Sequence, residues 1–534
     1  IAEFKDSYPN KSYVSDVVDN FEFNGPIAVN GVKPSLAITD DSGTSLMSAN
    51  DYGDLSSSGK VAYNSNTDKE LYSIVDDKGE SALSILFGGS TKQAGIESSA
   101  EGNSEFVYAI TDETGAVALG VKSDGTVIST VQAAVPLWTE IYTAQDMFID
   151  SYGQSLSIGA QGLPAISLTQ NYNNIMFASG VRWESAQNLT SSIALVESDN
   201  VSESKGETCV TSLTDYLSAN DSDYTANGTK YFGSSTGLGG QRIDQLNKGN
   251  IIYNRLTARI QAAYDLSNTA GRSFNFYNLF WTQVEADYVA GTQPDVYKTA
   301  LIGLQNDLSI DTKEITGQTF KIPFIMYQSS SHRRQGVDYP GLVLGMTELC
   351  NAQQDMHMAN AMYNFDYDAS DNLHLTADAY FMLGQYYGSA AKQLKDNGKV
   401  ELCEIKNIVK QGRIIEVQIN TPVPPLVIDT TRVTAAVNSG FDIYSLSNGG
   451  IYDIITSVVL SGVDRVKITT SADIPSDAIL YYAIGRPGDP SVTSRVNGPR
   501  GNIRDSRGDT FNWTNSASQT DRADNYLLIS AVEI

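Results

Sequence analysis

One short stretch, from Met147 to Gly159, constrains the fold of this chain more than any other. Its first residues, 147–152, predict a short buried strand. Gly153 allows a sharp turn after this strand, and Ser155 follows the turn directly. In an open α/β sheet, ligands bind outside the carboxyl ends of the strands. The stretch therefore predicts an α/β domain that presents a serine hydroxyl at its ligand-binding edge.

A base for this serine is found far downstream in the sequence. The chain contains three histidines, at positions 332, 357 and 374. Only His374 has a carboxylate, Asp371, three residues ahead of it in a turn-like setting. In a Ser–His–Asp relay, the histidine takes the serine proton and the carboxylate fixes the histidine tautomer. We therefore predict Ser155 as nucleophile, His374 as general base and Asp371 as its orienting carboxylate.

Four short blocks in this chain follow a recognisable order. Gly153-Gln154-Ser155 comes first, Leu238-Gly239-Gly240 second, the segment from Trp281 to Asp287 third, and Asp371-x-x-His374 last. The blocks resemble those of the SGNH hydrolases, in particular the carbohydrate and sialate O-acetylesterase branch. The third block is similar to the W-x-Q-G-E-x-D motif of that branch, with Val284 where the branch usually has glycine.

This resemblance implies an α/β/α three-layer domain with a parallel sheet and a serine esterase activity. It also implies an oxyanion hole formed by Gly239, Gly240 and Gln283. Acyl transfer needs such hydrogen-bond donors, aimed at the oxygen on which negative charge develops. The backbone N–H of Ser155 is a further candidate donor. The chemistry requires neither a metal nor an organic cofactor, and we expect none.

A repeat organises the first part of the chain. Ile38, Ile74 and Ile110 are spaced by 36 residues, and each begins an Asp-rich turn that ends in glycine before a second strand. A fixed period predicts units that stack on each other or identical chains that wrap together. The pattern resembles the β-structured stems of phage tail fibres and tailspikes, which are homotrimers. We therefore expect residues 1–130 to form a β-repeat stem that trimerises.

The rest of the chain divides into two parts of different texture. Residues 131–400 alternate strand and helix patterns and are predicted to form the SGNH-like esterase domain. Residues 401–534 contain short alternating runs between Gly- and Asn-rich turns, which predict an antiparallel β-sandwich accessory domain. A length of 534 residues favours such a multidomain division.

Within the central part, hydrophobic spacing predicts several individual elements. The predicted strands are Ile175–Ala178, Ser273–Thr282 and Phe320–Gln328. The predicted helices are Asn250–Leu266, Val296–Leu308, Gly341–Met362 and Thr376–Leu394, the last with Thr376 as its N-cap.

Composition narrows the classes of partner and site. There are 62 acidic and 36 basic residues, giving a formal charge of −26, which argues against a nucleic-acid partner. No apolar run is long enough to predict a membrane span. Cys209, Cys350 and Cys403 form neither a metal-spaced pair nor a disulfide framework. The expected partners are a bacterial cell-surface polysaccharide, other virion tail proteins and further copies of the chain.

The favoured function is a serine esterase that removes O-acetyl groups from a bacterial surface polysaccharide, O-antigen or capsule. The resemblances place it in a phage tailspike, on the virion, acting outside the host cell. Two alternatives stay open. Glu285 and Asp287, two apart on a predicted strand, are a candidate carboxylate pair for a polysaccharide depolymerase, although such pairs usually flank the substrate from different elements. The second alternative is a receptor-binding fibre with an inactive hydrolase domain.

A second serine also matches a nucleophile motif. Gly233-Ser-Ser235-Thr-Gly237 fits the G-x-S-x-G pattern of a nucleophile elbow. That motif requires a strong strand before it and a helix directly after it. Here the predicted strand is short and two more glycines follow, so Ser235 is the weaker candidate.

Overall fold

The computed structural model describes residues 144–534, apart from 184–186 and 515–519, together with nine strands within residues 36–129. The chain divides into two compact units, Ile1–Leu137 and Trp138–Ile534. The second unit contains both the predicted esterase domain and the predicted accessory domain.

Three antiparallel sheets of three strands each are described in the first unit. Their strands are Leu36–Thr39, Ser45–Ala49 and Leu55–Ser57; Glu70–Val75, Ser81–Leu86 and Thr91–Gln93; and Phe106–Thr111, Val117–Lys122 and Val127–Ser129. The repeat isoleucines pair in the same register, Ile38 with Met47, Ile74 with Leu83 and Ile110 with Leu119. Each sequence repeat therefore corresponds to one three-stranded sheet. Association of three copies of the chain stays a prediction.

A seven-stranded sheet forms the centre of the second unit. Its strands are β1 (Asp146–Gly153), β2 (Ile175–Phe177), β3 (Ser192–Ala194), β4 (Lys230–Ser235), β5 (Phe274–Thr282), β6 (Phe324–Gln328) and β7 (Met356–Ala361). Their order across the sheet is β3-β2-β4-β1-β5-β6-β7. Neighbours run parallel, except that the edge strand β3 is antiparallel to β2. The predicted parallel α/β sheet is confirmed.

The described residues contain seven α-helices. They are α1 (Val210–Asn220), α2 (Ser222–Asn227), α3 (Ile251–Thr269), α4 (Glu285–Ala290), α5 (Pro294–Thr316), α6 (Gly341–Ala352) and α7 (Ala377–Asn397). Proline at the first position of α5 and a left-handed glycine after its end, Gly317, define that helix. Among the helices described, none has the length and apolar character needed to cross a membrane.

Two consecutive residues of β5 show that helices cover both faces of the sheet. Successive side chains of a strand point to opposite faces. The Phe280 ring lies 5.0 Å from the ring of Tyr387 in α7, measured between centroids. The Trp281 Nε1 donates a 3.0 Å hydrogen bond to the Tyr297 hydroxyl in α5. Because both faces are covered, every residue of the central strand β1 is buried.

One predicted helix is wrong over its second half. The helix predicted over Gly341–Met362 ends at Ala352, and Met356–Ala361 is instead the parallel edge strand β7. Its residues, Met-His-Met-Ala-Asn-Ala, lack the β-branched side chains that favour a strand. The pairing with β6 therefore overrides local preference. Helix α1, rich in Ser and Thr, was not predicted from the sequence at all.

The last part of the chain is antiparallel, as predicted. One four-stranded sheet contains β8 (Glu404–Gln411), β9 (Ile414–Asn420), β13 (Ile455–Leu460) and β14 (Arg465–Thr470). A second contains β11 (Phe441–Ser445), β12 (Gly450–Ile451), β15 (Ala478–Tyr482) and β19 (Ser530–Glu533). Two-stranded sheets are formed by β10 (Val427–Ile428) with β16 (Ile503–Arg504) and by β17 (Asn512–Thr514) with β18 (Thr520–Arg522).

This C-terminal region shares one hydrophobic core with the central sheet. At the end of β6, the Gln328 side chain donates to the Ile529 carbonyl at 2.9 Å and accepts the Ile529 N–H at 2.6 Å. The Tyr363 hydroxyl donates to the Leu527 carbonyl at 2.6 Å. The C-terminal region is therefore packed directly against the strand ends where the candidate site lies.

Candidate active site

Ser155 lies just beyond the carboxyl end of the central strand β1. Gly153 ends the strand with a φ of +152°. A Cβ atom at this position would lie 2.1 Å from the Thr282 carbonyl oxygen of β5, so the turn requires glycine. The chain then enters a 3₁₀ turn, Ser155–Ile158, with Ser155 partly exposed at its start. The strand and the turn together fix the position of the hydroxyl.

Asp371 and His374 lie in the loop between β7 and α7, residues 362–376, which we call the base loop. The Asp371 Oδ1 accepts the N–H groups of Leu373 at 2.9 Å and His374 at 3.1 Å. Its Oδ2 accepts the His374 Nδ1–H at 2.5 Å. The His374 Nε2 lies 2.7 Å from the Ser155 Oγ. The structure thus brings together the three residues predicted as a triad.

The electrostatics of this trio suit proton transfer from serine to histidine. Burial raises the pKa of Asp371, but hydrogen bonds from the His374 ring and from the His374 and Leu373 N–H groups outweigh it, so the pKa is lowered overall. An ionised Asp371 places the proton on Nδ1 and leaves Nε2 to accept the Ser155 proton. The His374 and Asp371 side chains are 18% and 25% exposed, so a substrate can approach from solvent.

Two backbone N–H groups at Ser155 and Gly239 are candidates to bind an oxyanion. A Cβ atom on Gly239 would lie 3.7 Å from the Ser155 Cβ, which places the second sequence block against the serine. In the described part of the chain, the N–H groups of Ser155 and Gly239 have no protein acceptor. Gly240 follows with a φ of +72°, and no atom lies within 4 Å of where a Cβ atom would be placed on it. The N–H groups of Ser155 and Gly239 are therefore available to a substrate oxygen.

The Gln283 side chain does not offer the donor that the sequence suggested. Its Nε2 donates to the Gln241 carbonyl at 3.1 Å and to Asp287 Oδ2 at 2.6 Å. Its Oε1 accepts the Tyr297 hydroxyl at 2.6 Å. Both amide hydrogens are thus used inside the protein, and the side chain is fully buried. Gln283 ties the Gly239–Gln241 loop to α4.

Glu285 and Asp287 are not arranged as an opposed catalytic pair. They lie in the first turn of helix α4, rather than on the strand that the sequence suggested. Glu285 accepts hydrogen bonds from Tyr327 at 2.9 and 3.0 Å and from Ser329 at 2.7 Å. Burial raises its pKa, against these hydrogen bonds.

Asp287 is buried and hydrogen-bonded in the same way. It accepts the Ile243 N–H at 2.9 Å and the Thr292 hydroxyl at 2.6 Å, in addition to the Gln283 amide. Both carboxylates are therefore anchors inside the fold.

The competing serine and the other histidines are also bonded within the protein. Ser235 is buried at the end of β4, where its Oγ donates to the Ser157 carbonyl at 2.8 Å. His332 is buried with Nε2 2.8 Å from the Ile484 carbonyl, and burial lowers its pKa to about 4. Burial likewise lowers the pKa of His357 to about 4.

Two supporting contacts were missed in the sequence. The Arg334 Nε donates to the Asp371 carbonyl at 2.8 Å, and the Gln154 Oε1 accepts the Ala286 N–H at 3.0 Å. The contact between Gln154 and Ala286 could have been predicted from the sequence, because these residues lie in two of the four blocks. Nothing in the sequence near Arg334 indicated the first. Within the described residues, His, Cys, Asp and Glu side chains form no cluster of three or more that would suit a metal ion.

A protein-family model described as carbohydrate esterase, sialic acid-specific acetylesterase, matches residues 232–393. The match contains Gly239, Gln283, Asp371 and His374 but begins after Ser155. Among curated proteins, no sequence matches this chain.

Several solved structures are similar at low identity. A carbohydrate acetylesterase from Xanthomonas citri has 11% identity and a TM-score of 0.46, with 72% of this chain and 80% of that chain covered. A protein from Arabidopsis thaliana has 15% identity and a TM-score of 0.32, with 47% and 98% covered. The M. smegmatis aryl esterase has 11% identity and a TM-score of 0.27, with 47% and 98% covered. These likenesses are too distant to bear on function.

The family match and the site chemistry agree on the class of reaction. The matched family consists of carbohydrate esterases. A serine hydroxyl in hydrogen-bond contact with a histidine, itself bonded to a carboxylate, is the arrangement that acyl transfer requires. The chain is a carboxylic ester hydrolase.

Proposed function

We propose that this carboxylic ester hydrolase removes O-acetyl groups from a bacterial surface polysaccharide, as the enzymatic part of a phage tailspike. The observation that carries the ester chemistry is the 2.7 Å contact between the Ser155 Oγ and the His374 Nε2. The family match supports a carbohydrate O-acetyl ester as the substrate. No observation favours the depolymerase alternative, since Glu285 and Asp287 are buried and bonded within the fold.

In the proposed reaction, the Ser155 Oγ attacks the acetyl carbonyl while His374 takes the hydroxyl proton at Nε2. Asp371 stabilises the imidazolium that forms. The N–H groups of Ser155 and Gly239 bind the oxyanion of the tetrahedral intermediate. Collapse of the intermediate breaks the bond to the sugar oxygen, which leaves with the proton from His374. Water, deprotonated by His374, then attacks the acetyl-enzyme, and acetate is released as Ser155 regains its proton.

The tailspike part of the proposal rests on the first unit. Its three similar sheets repeat at the interval of the sequence repeat. Repeats of this length generally cannot bury their apolar faces singly, so they need neighbouring repeats or further chains. A homotrimeric stem joined to other tail proteins supplies that cover. It also carries the esterase to a polymeric substrate at the host cell surface.

The test is incubation with an O-acetylated bacterial polysaccharide. We expect acetyl proton signals to move from the bound to the free position by NMR, while the size-exclusion profile of the polymer stays unchanged. Ser155→Ala should abolish acetate release. Glu285→Gln serves as the matched control for the carboxylate pair. Short oligosaccharides that persist in Ser155→Ala and vanish in Glu285→Gln would replace the esterase proposal with the depolymerase.

A further inference from the structure

We infer that Arg432 and Arg495 of the C-terminal region are positioning residues for the esterase, because together they grip Asp366 in the base loop. We call these two arginines and Asp366 the arginine clamp. The inference rests on the proposed roles of Asp371 and His374, and it assigns a catalytic purpose to the C-terminal region. That region contributes none of the predicted triad or oxyanion residues.

The clamp has a defined geometry. The Arg432 Nη2 lies 3.2 Å from the Asp366 Oδ2, and the Arg495 Nε donates to the Asp366 Oδ1. The Arg495 Nη1 donates to the Arg432 carbonyl at 2.6 Å, which fixes the two arginines relative to each other. Each carboxylate oxygen of Asp366 therefore has its own guanidinium partner, and such charge-assisted bonds are stronger than neutral ones.

Arg432 has two further partners, one in the C-terminal region and one in the base loop. The Arg432 Nη1 pairs with Asp521 in β18, and its Nε donates to the Asn364 carbonyl at 3.2 Å. Arg432 and Arg495 are only 17% and 28% exposed, while Asp366 is 40% exposed. The C-terminal side of the clamp is thus the more buried side, and Arg432 contacts the base loop at Asn364 as well as at Asp366. The base loop is fixed against it.

Within the base loop, Asp366 connects directly to the triad residues. Its carbonyl accepts the Thr376 N–H at 3.2 Å, two residues after His374. The Asp368 N–H donates to the His374 carbonyl at 2.8 Å. Asp366 and Asp368 therefore form one arm of a hairpin-like loop whose other arm carries His374. A displacement of Asp366 would be transmitted to the imidazole.

A second contact ties the same loop to the same region. The Thr493 N–H donates to the Asn372 carbonyl at 3.3 Å, between Asp371 and His374. Asn372 adopts a φ of +55°, a conformation that few side chains favour. Because Thr493 and Arg495 are neighbours in the chain, one C-terminal segment contacts the base loop on both sides of Asp371.

The clamp should affect catalysis much more than stability. Partly exposed ion pairs contribute little to folding free energy. A small displacement of a catalytic group, by contrast, can lower the rate by about 100-fold. The distinguishing result is therefore a loss of turnover without a matching loss of thermal stability.

The experiment compares Asp366→Asn with Asp473→Asn in the full chain. Asp473 pairs with Arg413 at 2.8 Å in the same region, but the two side chains are 88% and 57% exposed. Four quantities are measured: kcat and KM for p-nitrophenyl acetate, the rate at which a fluorophosphonate labels Ser155, and the melting temperature. We expect Asp366→Asn to lower kcat and the labelling rate by about 10-fold or more, with KM unchanged within about twofold. Asp473→Asn should change none of them.

A double variant adds a second criterion. Asp366→Asn with Arg495→Gln should be about as slow as the slower single variant, because both substitutions act on the same Asp366–Arg495 pair. Should Asp366→Asn fail to fold, Arg495→Gln alone decides by the same kcat and labelling criteria. The inference would be overturned if kcat were unchanged in the folded variants, or if their losses in kcat equalled those of Asp473→Asn. Additive losses in kcat in the double variant would also overturn it. Full activity in Ser155→Ala would instead overturn the proposed function itself.

Discussion

At the scale of single residues, Ser155 and Ser235 differ in their surroundings rather than in their chemistry. Ser155 lies 2.7 Å from the His374 Nε2, whereas the buried Ser235 donates to a backbone carbonyl. We expect Ser155→Ala to lower kcat for p-nitrophenyl acetate by about 10⁴-fold or more, because triad members act as a unit. Ser235→Ala, the matched control, should keep its activity and lose only about 1 kcal/mol of stability. The reverse result would assign the nucleophile to Ser235.

The two carboxylate oxygens of Asp371 make different contacts. Oδ1 shapes the backbone turn through the Leu373 and His374 N–H groups, and Oδ2 orients the imidazole. Asp371→Asn retains an oxygen for the turn but places an amide nitrogen against Nδ1, which favours the wrong tautomer of His374. The expected loss in kcat is about 10⁴-fold. A melting temperature close to that of the wild type would show that the loss is not due to unfolding.

The sequence predicted which residues meet at this site, but it did not predict all of the hydrogen bonds that they form. Ser155, Asp371 and His374 follow a strand end or precede a helix, and those positions converge in any parallel α/β sheet. The orientation of the Gln283 amide was not predictable in this way. It depends on Tyr297 and Asp287, whose positions are known only after α4 and α5 pack on the sheet. Catalytic roles for all of these residues stay predictions.

At the scale of elements, local preference predicted most of the central sheet but not its edge. Strands β1 and β5 are apolar and aromatic and were predicted within two residues of their observed bounds. Strand β7 has residues that favour helices, and only its pairing with β6 makes it a strand. The arginine clamp was likewise hidden, because its members are distant in sequence and adjacent only in the fold.

The segment after the Ser155 turn, residues 159–167, is held by the buried Glu207. Glu207 Oε2 accepts the Ile166 and Ser167 N–H groups at 2.9 and 3.0 Å, and Oε1 accepts the Ser167 hydroxyl at 2.5 Å. Burial and the neighbouring Glu197 carboxylate raise the pKa of Glu207 to about 8. The folded state therefore keeps a proton that the unfolded state releases above about pH 4.3.

The raised pKa of Glu207 predicts a pH-dependent stability with a definite sign. As pH rises from about 4.5 to about 8, the unfolded wild type loses a proton that the folded wild type retains. The free energy of unfolding of the wild type therefore decreases across this range. Glu207→Gln keeps both acceptor bonds through its oxygen, donates to Ser167 and has no proton to lose. We therefore expect its melting temperature, relative to wild type, to increase across this range and to level off above it.

Glu203→Gln is the control for that measurement. Glu203 is 52% exposed and paired with Lys205, and this hydrogen bond and charge lower its pKa. Because Glu203 is ionised in both states above about pH 5, its variant should show a constant offset in melting temperature. A constant offset for Glu207→Gln as well would mean that Glu207 is ionised in the folded protein.

At the scale of the whole molecule, the C-terminal region and the central sheet form a single compact unit with a shared core. The repeats lie in the other unit, Ile1–Leu137. This division assigns ester hydrolysis and the predicted association of chains to different parts of the molecule. Ester hydrolysis belongs to the second unit, and association of copies is predicted for the first.

The last prediction tests this separation by light scattering. The full chain has a mass of 57.7 kDa, and we expect a particle of three times that mass at micromolar concentration. A chain that begins at Trp138 should be monomeric, since it lacks the 36-residue repeats whose apolar positions need cover. It should also retain its kcat for p-nitrophenyl acetate, because the triad, the base loop and the arginine clamp all lie within it. A monomeric full chain would exclude the trimeric stem and leave the esterase intact. A trimeric shortened chain would move the association surface into the second unit.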